Sequence, residues 1–288
     1  MGKVRSLLII MGAILLAGFY IEWKYQGVSL FLEGSMDGGE QEIYIQDLHD
    51  GMLSRQETIT LPYRGDGEEL KGFVTESIAK AFKVDDKNTS SDYDYMRYVH
   101  KASHINMTGW GGIYQVTYEM EYLESLEQTE QVERRVKKIL KKIITKDMSR
   151  YEKIKAIHDY IVEHVEYDIS TSLNSPYYAL LQGSSACQGY ATLMYKMMTE
   201  AGIPCRVITG TAKGGLHAWN IVKLKGEWYN IDATWDDPVG AFGKTKLRYD
   251  YFLKSDADFM NHKRDKEFTN TEFYSKYPMA MKSYSKHA

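Results

Sequence analysis

The chain has 288 residues, 43% of them apolar and 26% charged, which is enough for one or two folded domains and too apolar for a wholly disordered protein. A formal net charge of -3 excludes a general attraction to nucleic acid, and no nucleic-acid partner is expected. The basic cluster between Arg134 and Lys155 is interleaved with apolar residues at helical spacing, as on the solvated face of helices.

Lys3 and Arg5 precede an uncharged run over 6–21, and Glu22, Trp23, Lys24 and Tyr25 close it with the charged and aromatic residues of a membrane boundary. Residues 1–25 are therefore expected to be a targeting segment, either a signal peptide or a signal anchor that meets the membrane through residues 6–21. Leu15 and Leu16 stand where a signal peptidase requires small side chains, which favours the uncleaved anchor. Phe19 stands where a lipid-bearing cysteine would have to be, so lipidation there is excluded. The positive start retains the N-terminus in the cytoplasm and places the rest outside it; cleavage would leave a secreted chain.

A polar, glycine-rich linker is expected over 26–42, followed by a small α+β domain over 43–125. Phe73, Val74, Ile78, Ala79 and Phe82 predict a helix that ends before a loop over 85–94. Tyr114, Val116, Tyr118, Met120 and Tyr122 alternate with Gln115, Thr117, Glu119 and Glu121, the period-two pattern of a half-buried strand. Residues 126–288 are expected to form the larger domain, entered by two helices. Val132, Val136, Ile139, Leu140, Ile143 and Ile144 make one apolar stripe. Ser149 and Glu152 make a capping box for a second helix through Ile154, Ile157, Ile161 and Val165.

Residues 183–186 have turn chemistry, and Ala191, Met194, Met198 and Ala201 follow at helical spacing until Gly202 and Pro204 end the helix. Ser184 or Ser185 is the expected cap, which puts Cys187 in the first turn. There, unpaired backbone N–H groups and the helix dipole favour a thiolate. Cys187 could equally be a small core residue, or half of a disulfide with Cys205. Next, 206–210 predicts a strand, 211–216 a loop, 217–224 a second strand and 227–234 a third, with Lys225-Gly226 as a two-residue turn. If Leu224 lies opposite Glu227, His217 falls opposite Thr234, and His217 and Asp232 become diagonal neighbours on one face. Such diagonals are about 7–8 Å apart at the backbone, within reach of an imidazole–carboxylate hydrogen bond. A one-residue bulge would separate them. Two cysteines with a remote histidine match no usual zinc spacing, and Asp232, Asp236 and Asp237 lack the calcium-loop pattern, so no metal and no cofactor are assigned.

Cys187-Gln188-Gly189-Tyr190-Ala191, then Gly202-Ile203-Pro204, then His217-Ala218-Trp219-Asn220, then Trp228-Tyr229-Asn230-Ile231-Asp232-Ala233-Thr234-Trp235-Asp236 resemble the transglutaminase-like superfamily of bacterial extracytoplasmic proteins. The resemblance spans roughly 130–259, including Tyr167-Asp168 and Tyr251-Phe252; before Tyr122 only the general layout matches. It implies an α+β, papain-related core in which the cysteine-bearing helix packs on an antiparallel sheet carrying His217 and Asp232. It implies Cys187 as nucleophile on an amide or acyl carbonyl, His217 as the base that activates it, and Asp232 as the group that orients the imidazole. The Cys187 backbone N–H would be the first oxyanion donor, with Gln182 and Tyr167 as candidates for the second. Trp219, Trp228 and Trp235 are expected to pack in the core. The leading expectation is a thiol enzyme acting on protein, peptide or cell-wall amides as a protease, deamidase or transglutaminase. The alternatives are a non-catalytic cell-surface or cell-wall binding module on the same scaffold, and a structural domain closed by a disulfide.

Overall fold

The computed structural model describes residues 34–84, 93–237 and 247–285, which divide into two compact units: 34–84 with 102–121, and 93–101 with 122–285. The expected targeting segment 1–25 lies outside the described residues. Among the described residues no helix is long and apolar enough to cross a membrane.

In the first unit, Asp37 and Glu40 form a capping box that starts α1 (Gly38–Leu53), so residues 38–42 open a helix where a linker was expected. Strand β1 (Thr58–Arg64) pairs antiparallel with β3 (Ile113–Tyr122), whose other neighbour is β2 (His100–Trp110). The alternation predicted for β3 is present: Val116, Tyr118 and Met120 are buried together with Ile59, Leu61 and Tyr63 of β1. Helix α2 (Gly67–Ala81) starts on the Asp66 cap. Its buried stripe is Leu70, Val74, Ser77 and Ala81, whereas Ala79, expected on that face, is exposed.

The second unit takes residues that the sequence reading placed elsewhere. Asp94 was expected in a loop and 93–101 in the N-terminal domain. Instead α3 (Tyr93–Val99) belongs to the second unit, where the fully buried Asp94 carboxylate binds Arg206 Nε at 2.6 Å and the Val207 N–H at 2.9 Å. A charge removed from water needs partners of this kind, and no local pattern reveals one that lies 112 positions away. Helices α4 (Leu126–Ile143) and α5 (Arg150–His164) both begin with capping boxes, Ser125 with Gln128 and Ser149 with Glu152. Their apolar stripes pack on α6 (Cys187–Glu200).

Helix α6 is the centre of the core. Leu193, Met194, Met197 and Met198 are wholly buried, each worth about 1.5–3 kcal/mol in area removed from water. It lies on one face of an antiparallel sheet ordered β8 (Glu227–Ile231), β7 (Gly215–Leu224), β6 (Cys205–Ala212), β9 (His262–Arg264). Val207, Ala218, Val222 and Ile231 face α6, and Asn220 fastens the two layers by donating to the Ala191 carbonyl at 2.9 Å. Ile208, Trp219, Ile221 and Trp228 point the other way, into a second cluster with Phe259, Phe268, Phe273 and Tyr277. Trp219 and Trp228 are thus core residues. The loop expected over 211–216 is a tight turn at Lys213-Gly214, because β6 and β7 stay paired to Ala212 opposite Gly215.

Candidate functional site

Cys187 is the first residue of α6, and the chain reaches it along a constrained path. A π-helical turn (Tyr178–Gln182) ends at Gly183 with φ 72°, and β5 (Ser184–Ser185) then pairs in parallel with β4 (Glu166–Tyr167). Neither serine caps the helix, contrary to expectation. The Ser185 hydroxyl instead donates to the Leu173 carbonyl at 2.8 Å, and the N-cap is Ala186, with no side-chain cap. The loop carrying Leu173 is folded around Asp168, whose carboxylate accepts from the Ser170 and Leu173 N–H groups at 3.0 and 2.8 Å. Gly189 allows this loop and the helix start to close together: a Cβ there would lie 2.0 Å from Ser185 Oγ and 2.8 Å from the Ser175 carbonyl oxygen. Both cysteines are free. Cys187 is half-buried and Cys205 buried, and burial, with Asp94 nearby, pushes the Cys205 thiol well above its ordinary range.

The predicted hairpin supplies the rest. Leu224 lies opposite Glu227, and Lys225 and Gly226 have φ of 51° and 92°, the left-handed pair of a type I′ turn. The register puts His217 and Asp232 on one face, and His217 Nε2 donates to Asp232 Oδ2 at 2.7 Å. The third strand is shorter than expected. It ends at Ile231, and Asp232 becomes the N-cap of α7 (Ala233–Asp236), its Oδ1 accepting from the Thr234 and Trp235 N–H groups at 2.9 and 3.2 Å. His217 meets Asp232 through Nε2, and Cys187 lies near enough for its charge to act on the imidazole. Burial disfavours the charged imidazole, but the bonds and charges of Asp232 and Cys187 outweigh it and raise His217 to about 10. Burial likewise acts against the Asp232 carboxylate, and the two histidines that donate to it prevail, holding it at about 2.

The second of these histidines, His262, was not anticipated. Its Nε2 donates to the same Asp232 Oδ2 at 3.0 Å. Its side chain is 1% exposed, inside a box of Phe259, Trp235, Trp219 and Tyr251 with ring centroids at 4.0, 4.5, 5.1 and 5.4 Å. It arrives on β9, an edge strand whose pairing with β6 nothing local announces. The available signal was Gly210, an isolated glycine inside a strand, which marks close backbone approach. A Cβ on Gly210 would lie 2.0 Å from the Lys263 carbonyl oxygen. Trp235, expected in the core, is half-buried beside the His217 ring at 5.6 Å, with the Lys213 ammonium 4.8 Å from its own centroid.

The two oxyanion candidates fare differently. Tyr167 is half-buried on β4, and burial raises its phenol, helped by the charges of Cys187 and Asp232. Gln182 is exposed at the end of the π-helical turn, and no hydrogen bond among the described residues fixes its amide. His217, Asp232 and His262 offer donor atoms within 4.8 Å of one another, a spread that a divalent cation could also use. Both imidazole Nε2 atoms direct N–H groups at the carboxylate, so a cation would have to displace both protons.

Helix α7, which Asp232 caps, is itself anchored. His158 on α5 is fully buried and binds Asp236 Oδ2 through Nε2 at 3.0 Å and Asp159 Oδ1 through Nδ1 at 3.2 Å. Burial opposes the charged form of His158, but the two carboxylates outweigh it and raise its pKa. Burial pushes Asp236 up against the opposing pull of His158, and Asp236 Oδ1 also accepts the Tyr251 N–H at 2.9 Å.

The family model described as transglutaminase-like superfamily matches residues 137–233. Two proteins named Kyphoscoliosis peptidase, from Mus musculus and Homo sapiens, are each 31% identical to this chain, over 132 and 129 residues. These alignments cover 40% and 38% of this chain, and the chain spans about a fifth of the length of the curated relatives it matches, 20% and 19%. A solved structure described as a TGase aligns over 58% of this chain and 52% of its own, at 16% identity and a TM-score of 0.36. Legionella pneumophila LapG, EGTA-treated, aligns over 47% and 78%, at 12% identity and a TM-score of 0.33.

Proposed function

We propose that this chain, whose residues 137–233 belong to the transglutaminase-like superfamily, is a thiol enzyme that breaks or exchanges amide bonds of proteins, peptides or cell-wall material through a thioester on Cys187. One observation carries the reading: a cysteine opens a helix that has no side-chain cap, against an imidazole whose Nε2 rests 2.7 Å from a buried carboxylate. In this reading His217 takes the Cys187 thiol proton, the sulfur attacks the carbonyl carbon and the carbonyl π pair moves to oxygen. As the tetrahedral adduct collapses, His217 passes a proton to the departing amine, leaving the acyl group on sulfur. His217 then takes the proton of the water or amine that attacks the thioester, and gives it to the Cys187 sulfur as the acyl–sulfur bond breaks. Asp232 keeps the imidazole oriented and offsets its charge throughout.

The Ala186 cap leaves the first N–H groups of α6 free of side-chain acceptors, which supports their use by the oxyanion. Of the two candidates for the second donor, the half-buried Tyr167 is better supported than the exposed Gln182. The apolar run over 6–21 supports a membrane-held, extracytoplasmic domain, which added protease would digest on intact cells.

The test is to incubate the protein with a peptide library, quench in acid and weigh the Cys187 peptide by mass spectrometry. An acyl adduct is expected on the wild type and absent from Cys187→Ser. Absence of any adduct on a wild-type protein with a free thiol would leave a binding module on the same scaffold.

A further inference from the structure

Asp232 accepts four hydrogen bonds, two on each oxygen, and the two oxygens take different kinds of donor. Oδ1 takes two backbone N–H groups from α7, while Oδ2 takes both imidazoles, His217 at 2.7 Å and His262 at 3.0 Å. Reaction as read above requires only the first of these imidazoles, so the second needs its own account. We propose that His262 is a positioning residue of the site: by donating from Nε2 to the oxygen that His217 uses, it keeps the Asp232 carboxylate ionised and turned toward His217. This rests on reading Cys187, His217 and Asp232 as the reactive set.

Three features of the surroundings support it. First, Asp232 is 1% exposed, so water cannot stabilise its charge and each donor counts for more than it would at a surface. Second, the charged and titratable groups that interact with this carboxylate are Tyr167, His217, His262, Asp236 and Tyr251. Of these, Asp236 is another acid, and only the two histidines stabilise the anion. Third, His262 is itself held. Its Nδ1 lies 3.1 Å from the Met260 carbonyl oxygen, the Phe259 ring is 4.0 Å away, and Gly210 lets β9 approach β6 closely enough to bring Nε2 to the carboxylate. An imidazole placed only to fill the aromatic box would need neither that strand approach nor that aim.

A pair of amide substitutions tests the assignment, because glutamine can present a donor near the Nε2 position and asparagine only near Nδ1. The Asp232 carboxyl carbon, assigned by its loss in Asp232→Asn, is titrated by NMR in 13C-labelled wild type, His262→Gln and His262→Asn. Wild-type Asp232 is expected to stay ionised down to about pH 2. His262→Gln should remain near that midpoint, while His262→Asn should rise by about one pH unit or more, the loss of one donor to a buried carboxylate. A parallel readout is the burst of p-nitrophenolate from p-nitrophenyl acetate, whose acid limb should move up with the same variant. On the acid limb the burst rate of His262→Asn should fall by about tenfold. In an Asp232→Asn background the same change should cost under about twofold, since its target is gone. Equal Asp232 midpoints in all three proteins would overturn the proposal, as would a shift in His262→Gln but not in His262→Asn. A wild type without a burst would refute the enzyme reading alone, and the carbon titration would still decide whether His262 acts on Asp232.

Discussion

Replacing His158 by phenylalanine keeps a ring of similar size between α5 and α7 and removes the donor that satisfies Asp236 Oδ2. Both side chains are 0% exposed, so no water replaces it, and breaking one half of such a buried pair costs about 3–5 kcal/mol. The dependence on pH separates this cause from a simple packing defect. In the wild type the folded-state pKa of His158 is raised, so its contribution is complete below the unfolded value of 6.5 and is lost as pH rises through the folded value. In the variant, Asp236 keeps its burial and loses the opposing pull, so its folded pKa stands further above 3.8. The folded variant then retains a proton that the unfolded chain has released, and its stability falls as pH rises from 3.8. The wild type shares the first part of this decline because its own Asp236 is raised, so between 3.8 and 6.5 the gap widens only over the further rise that loss of His158 brings, by at most about 1.4 kcal/mol per pH unit. Urea titrations followed by the emission of Trp219, Trp228 and Trp235, all in the second unit, measure it. A gap below about 1 kcal/mol at the upper end of the window, or one that does not change across it, refutes the claim that His158 neutralises Asp236.

Three further outcomes are expected. Asp232→Asn turns an amide NH2 or a single oxygen toward two N–H donors, so on the proposed reading thioester formation should fall by up to about 10⁴-fold in a folded protein; an unchanged rate removes Asp232 from the reaction. Brief iodoacetamide treatment of native, unreduced protein should label Cys187 and spare Cys205, which is 4% exposed and whose thiol burial pushes up, until the chain is unfolded. Equal labelling, read by peptide mapping, contradicts that assignment. Gly189→Ala gains about 1 kcal/mol of helix propensity but forces its Cβ within 2.0 Å of Ser185 Oγ. A net loss of stability is expected from an overpacking cost of about 1–3 kcal/mol, and a variant as stable as the wild type shows that the loop yields freely.

What could be read from the sequence was what neighbours in the chain determine. The alternation of Val116, Tyr118 and Met120, the Ser149–Glu152 box and the Lys225-Gly226 turn each specify local geometry, and each is present. The turn alone sets the register that brings His217 to Asp232, since a one-residue slip would send one of them to the opposite face. Where two local options compete, distant partners decide. Ser185 has the chemistry of a cap but bonds to the Leu173 carbonyl, and Asp232 has the chemistry of a strand-end acid but caps α7. Residues whose role depends on pairing across the fold gave no local sign. Asp94 reads as loop without Arg206, and His262 reads as one histidine among eight without β9 against β6.

Asp232 is at once the cap of one helix and the acceptor for two imidazoles, which sets a condition on transplanting such a site. A designer who copied a cysteine, a histidine and an aspartate onto a helix and hairpin of matching spacing would obtain a carboxylate free to rotate. The restraint on it comes from the helix that starts at the next residue and from an imidazole 30 positions along the chain. The portable unit is the junction of hairpin, helix start and edge strand, and the cysteine, histidine and aspartate are its tenants.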